Sequence, residues 1–250
     1  GYPGRGGDAE AGAATSRHSD AVPGFQVLRR AQSGEAPGTA GPTGASGAHA
    51  HRQPEGWLTE RPLVVAVTGA SGAPYAVRLI DVLARNDVPT WLLVSAHGQR
   101  LLQEECGIRS IEELKAATGD RWDSVTHFAD GDRGARPASG SVRTLGMVIC
   151  PCSMGTAGSI AAGTSRSLIE RAADVTLKER RPLILVPRET PLSLIHLRNL
   201  TTLTEAGATI LPAAPGFYHR PTEVGQLVDF IVQRVLDQVG IEIEVAQRWG

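Results

Sequence analysis

The sequence predicts an α/β domain over residues 61–250, built on a mostly parallel sheet with helices against both faces. Three observations predict it. From Arg61 onward, short apolar runs alternate with stretches of helical period. The runs are apolar at nearly every position, as strands covered on both sides must be. The run at 63–68 opens a helix through Thr68-Gly69-Ala70-Ser71-Gly72, and the run at 147–150 leads to Ser153, a natural N-cap.

Taken in order, the strands are expected at Leu63–Thr68, Thr90–Val94, Met147–Cys150, Leu183–Val186 and Ala208–Leu211. Helical periodicity lies near 73–85, 97–105, 110–117, 153–162, 165–180, 192–206 and 222–239. In sheets of this kind ligands sit outside the carboxyl ends of the strands, so chemistry is sought there.

Residues 1–57 read differently. They hold 12 of the 29 glycines and almost no aliphatic clusters, too little apolar surface to offset chain entropy. A disordered leader is expected. It lacks the apolar core of a secretory signal, and no apolar run in the chain approaches the ~18 residues of a membrane span. A net charge of −1 gives no electrostatic case for nucleic acid or an anionic membrane. The three cysteines, Cys106, Cys150 and Cys152, make a poor disulfide framework and have no zinc-like partners. They read as reduced thiols of a cytoplasmic protein.

The first strand runs into Thr68-Gly69-Ala70-Ser71-Gly72. The same TGASG occurs at 43–47 after Gly41-Pro42, with no strand to carry it. Only the downstream copy opens a helix, whose N-terminus favours a phosphate. Short-chain dehydrogenases use similar turns. Here Tyr75 stands where their third glycine would fall, and no tyrosine is followed four residues on by lysine. A nicotinamide reductase is therefore disfavoured.

The strand at 147–150 ends in Cys150-Pro151-Cys152-Ser153-Met154-Gly155-Thr156, with Ser153 a natural N-cap. By itself this is a capping motif. Arg171, Asp174 and Lys178 share a helix face and by themselves read as a surface salt ladder. Arg188 and Glu189 follow the strand at 183–186 and fall in the crevice zone, where a solvated charge pair is the plainer reading. Thr190 is expected to cap the next helix with Pro191 at its first position.

Together TGASG, ASGS at 138–141, CPCSMGT, LIERAADVTLKERRPLILVPRETPL and the Phe217-Tyr218 segment resemble the flavin prenyltransferase family (UbiX-type) across essentially all of 61–250. The resemblance implies a Rossmann-like/flavodoxin-like three-layer sandwich. It implies binding of reduced FMN and dimethylallyl monophosphate. The prenyl unit would be joined to flavin N5 and C6 without a metal, making prenylated FMN for a UbiD-type decarboxylase. It also implies a homododecamer with sites between subunits.

Carried over by motif, Gly69, Ala70, Ser71, Ser95, Ser153, Met154, Gly155, Thr156 and Arg188 would hold the flavin. Lys178, Tyr218, Arg234 and, as a further basic candidate, Arg171 would hold the prenyl phosphate. Ser71, Glu189 and Lys178 would form the catalytic group, with Ser71 and Glu189 moving protons. The chemistry agrees, because expelling phosphate from an allylic carbon requires stabilised negative charge, and Arg and Lys supply it. A partly desolvated Glu189 would have a raised pKa suited to proton transfer. Two departures stand out: the charged run Asp130–Arg136, and Ser95-Ala96-His97-Gly98, which matches the second flavin contact loosely.

Two other functions compete. A flavin-dependent cysteine decarboxylase of the same fold would carry a catalytic His and an Asn in the Pro151–Thr156 segment. That segment has no Asn, and no His lies between His127 and His196. A non-catalytic flavin-binding accessory subunit has no need of Lys178, Glu189 and Tyr218 together.

Overall fold

The computed structural model describes residues 61–246; the leader expected over 1–57 lies outside them. Six strands form one sheet: β1 (Leu63–Val67), β2 (Thr90–Val94), β3 (Val125–Ala129), β4 (Gly146–Cys152), β5 (Leu183–Pro187) and β6 (Thr209–Ile210). Their order is β3-β2-β1-β4-β5-β6, and every pairing is parallel. The chain winds outward from β1 in one direction and from β4 in the other, so the order reverses between these two neighbours.

The helices are α1 (Ala73–Arg85), α2 (Ala96–Cys106), α3 (Ile111–Ala117), α4 (Met154–Ala161), α5 (Leu168–Lys178), α6 (Leu194–Glu205) and α7 (Val224–Val239). The pleat of β1 sorts them into two layers. Leu63, Val65 and Val67 pack with Leu79 and Ile80 of α1 and with Ile231 and Val235 of α7. Val64 and Ala66 face the other way, toward Ala157 of α4, Ile169 and Ala172 of α5, and Leu203 of α6. All five β1 residues are buried, which explains why the strand reads as a continuous apolar run.

One buried charge ties the first layer together. Asp81 of α1 accepts hydrogen bonds from Arg78 at 2.9 Å and Arg85 at 2.5 Å, and Arg78 also reaches Asp229 of α7 at 2.6 Å. Five helices, α2 to α6, begin on a serine: Ser95, Ser110, Ser153, Ser167 and Ser193. Each side chain accepts the backbone N–H three residues on, one of the donors a helix start leaves open.

Two local expectations change. Thr190 and Pro191 do not start α6. Ser193 does, in a reciprocal cap where its N–H donates to His196 Nδ1 at 3.3 Å and its Oγ accepts the His196 N–H. That closes two open donors at once. The edge strand β3 was not legible as a strand. Its Thr126 and His127 are exposed, and only Val125 is buried, with Phe128 set edge-on to Trp91 at 5.6 Å.

The cysteines are free. Cys150 packs into the α1–α7 layer and Cys152 into the opposite one. Burial pushes the Cys150 thiol up to about 12 and Cys152 higher still; burial and then Glu105 raise Cys106 to about 11. None is a ready thiolate nucleophile. Among the described residues no helix is long and apolar enough to cross a membrane.

Candidate active site

The carboxyl ends of β2, β1 and β4 lie side by side and carry the predicted flavin contacts. Thr68 joins two of them: its Oγ1 donates to Pro151 O at 2.9 Å and accepts the Ser153 N–H at 2.8 Å. The β2 end is held by the Ser95 N–H donating to Val67 O at 3.0 Å. Two glycines make this closeness possible. A Cβ on Gly98 would lie 2.4 Å from Val67 O, and one on Gly69 would lie 2.5 Å from His97 Cβ.

Between these ends is a cavity of about 210 Å³ lined by Thr68, Gly69, Ser95, His97, Ser153 and Thr156, with Asp130, Ser167, Ile169 and Glu170 on the far wall. Ser153 Oγ and Thr156 Oγ1 lie 2.9 Å apart, and Ser153 caps α4 through the Thr156 N–H at 3.1 Å. A pocket for a whole drug-sized ligand is roughly 300–1,000 Å³. This one falls short of that range.

Of the predicted flavin residues, Gly69, Ser95, Ser153 and Thr156 meet in this cavity. Ala70 and Met154 are buried and Gly155 is exposed. Arg188 Nε donates to Ser71 O at 3.2 Å, which brings the loop after β5 onto the turn after β1. Glu189 rides on that loop. It is exposed, its Oε1 accepting only the Thr190 N–H at 3.2 Å, so the desolvation expected of it is not provided by this chain alone.

The phosphate candidates are dispersed. Lys178 ends α5 against the ASGS loop: a Cβ on Gly140 would fall 2.8 Å from its Nζ. It pairs with Glu179, not Asp174, and that hydrogen bond holds the Glu179 carboxyl below its usual range. Of the salt ladder only Arg171–Asp174 forms, at 2.6 Å. Arg234, bridged to Asp237 at 2.9 Å, lines a second cavity of about 290 Å³ beside Phe230 and Leu211. The Tyr218 ring packs edge-on to Phe230 at 5.7 Å. Of the four phosphate candidates Arg234 alone lines either cavity; Lys178, Arg171 and Tyr218 line neither.

Sequence reading missed three side chains. Glu105 at the end of α2 accepts the N–H groups of Gly72 and Ala73, both at 2.8 Å. The α1 N-terminus, assigned from sequence to a phosphate, is therefore occupied by a carboxylate drawn by the same helix dipole. Arg181 donates to Gly140 O at 2.7 Å and Val142 O at 2.8 Å, fixing the ASGS loop. Asp130 caps α5 through Leu168 and Ile169. Each acts across 30 or more residues of sequence with no local pattern to announce it.

A hydroxyl-lined cavity at the point where strand order reverses defines the class, a doubly wound α/β protein that takes a ligand at the carboxyl edge of its sheet. The family model described as Flavoprotein matches residues 51–236. The flavin prenyltransferase UbiX of Pseudomonas aeruginosa is 46% identical over 195 residues, covering 75% of this chain and 93% of that protein. The structure of AnUbiX (PadA1) in complex with FMN and dimethylallyl pyrophosphate superposes with a TM-score of 0.69 at 40% identity, covering 76% of this chain and 97% of that one. A dodecameric FMN-dependent UbiX-like decarboxylase from Escherichia coli O157:H7 gives 0.70 at 41%, covering 76% and 99%. The chain belongs to the flavin prenyltransferase family, within the Flavoprotein proteins.

Proposed function

We propose that this chain transfers a dimethylallyl group from dimethylallyl monophosphate to N5 and C6 of reduced FMN, without a metal, and hands prenylated FMN to a UbiD-type decarboxylase. The observation that carries the reading is the Arg188–Ser71 contact at 3.2 Å. It supports the reading by bringing the loop that carries Glu189 onto the turn that carries Ser71, which follows Gly69 of the hydroxyl cavity. Ser71 and Glu189 move protons near the reacting ring. Lys178 and Arg171 from one copy, with Tyr218 and Arg234 from another, stabilise the departing phosphate.

What one chain leaves uncovered supports an assembly. Of the twelve residues in α6 only Leu203 is buried, while Leu194, Ile195 and Leu197 are about half or more exposed. Leu192, Phe217 and Val224 extend this set of exposed apolar side chains. An apolar surface of this kind marks an interface. A homododecamer that covers it would also join the two halves of the site.

The test is the mass of the flavin formed from reduced FMN with dimethylallyl mono- or diphosphate. A flavin heavier by one prenyl unit with the monophosphate is expected; unmodified FMN with both donors would overturn the reading. Tyr218→Phe and Arg234→Ala should each raise KM for the prenyl donor about tenfold, the scale of one lost hydrogen bond to a charged group, and leave FMN affinity unchanged. An equal loss of FMN affinity would place both residues on the flavin instead.

A further inference from the structure

We propose that His97 supplies the cation for the terminal phosphate of the flavin, held in the cavity between the ends of β2, β1 and β4. This rests on the flavin reading above and names a contact that the motif carry-over does not contain.

His97 is the one basic side chain among the residues lining that cavity. None of the other basic candidates, Arg188, Lys178, Arg171 and Arg234, lines this cavity. Neither ring nitrogen of His97 has a hydrogen-bond partner among the described residues, and the side chain is exposed to whatever enters. The near wall presents the hydroxyls of Ser95, Ser153 and Thr156, which can donate to phosphate oxygens.

Of the two carboxylates on the far wall, Glu170 is paired with Arg166 and Asp130 is held by a backbone N–H. Asp130 Oδ1 accepts the Ile169 N–H at 2.9 Å, and its backbone carbonyl accepts Leu168 at 2.7 Å. Glu170 accepts the Arg166 N–H at 2.7 Å and its guanidinium at 3.1 Å. Burial alone would raise Glu170, but the Arg166 bonds outweigh it and hold the carboxyl below its ordinary value, so the pair stays charged and balanced. A phosphate entering here needs a cation of its own. Gly69 is what admits the His97 side chain to this wall, because any side chain at 69 would collide with His97 Cβ.

Riboflavin lacks the phosphate and so isolates the contact. In the full-length protein, His97→Asn keeps the Cβ and Cγ that rest on Gly69 and removes the ring cation. Flavin fluorescence quenching should show FMN binding weakened about tenfold in His97→Asn, with riboflavin binding changed by less than about twofold. His97→Lys should recover most of the preference for FMN. Loss of both flavins together would assign His97 a packing role over Gly69 and overturn the proposal. Unaltered FMN affinity in His97→Asn would overturn it as well. A wild-type protein that bound neither flavin would instead bring down the flavin reading, and this contact with it.

Discussion

Glu189→Gln is expected to retain bound FMN while formation of prenylated flavin falls by about 10² to 10⁴, the usual contribution of a general acid or base. That range corresponds to about 3 to 5 kcal/mol of activation free energy. The substitution keeps the side-chain oxygen that accepts the Thr190 N–H and removes only the ionisable group. It also leaves Arg188 on Ser71 O, so the loop stays docked. An exposed charge with no chemical role would change stability by less than about 0.5 kcal/mol and leave turnover alone. Single-turnover kinetics on reduced FMN separate the two. Near-wild-type rates in Glu189→Gln would remove the residue from the mechanism.

Gly98→Ala should cost the fold about 1–3 kcal/mol and abolish tight flavin binding. Helix propensity alone points the other way, since Ala is favoured over Gly by about 1 kcal/mol inside a helix. The clash decides the sign. The new methyl would sit 2.4 Å from Val67 O and 2.8 Å from its carbonyl carbon, and both are backbone. Val67 O is itself fixed by the Ser95 N–H, so relief requires parting the ends of β1 and β2. Urea denaturation measures the cost. Gly131→Ala is the control, because a methyl there meets nothing within 4 Å and should be neutral. Equal stability of the two variants would show that α2 can shift freely against β1.

The sequence was most legible where physics is repetitive. Strands β1, β2, β4 and β5 are buried on nearly every residue, so an apolar run marks each within one or two positions. Ser153 marked the start of α4 because the cap and its N–H partner lie three residues apart. β3 escaped because an edge strand needs few apolar residues. In the site, Gly69, Ser153 and Thr156 were legible as strand-end residues and Ser95 through the resemblance alone, and the four meet in one cavity. Glu105 and Arg181 were not, since each pairs with backbone groups distant in sequence whose identity carries no signal. The distribution of Lys178, Tyr218 and Arg234 was expected only by resemblance. Periodicity along one chain carries no information about assembly.

The placement of Gly69, Ser95 and Ser153 on three adjacent strand ends has a further consequence. Neighbouring strands repeat at about 4.8 Å, a pitch set by backbone hydrogen bonds and indifferent to side chains. The cavity is therefore measured out by the ladder itself. Little loop ordering remains to oppose an arriving ligand, and no local loosening widens the gap without opening β2–β1–β4. Occupancy and melting become one equilibrium: a ligand seated across these ends holds the centre of the sheet shut, and its binding free energy reappears as resistance of the whole domain to heat.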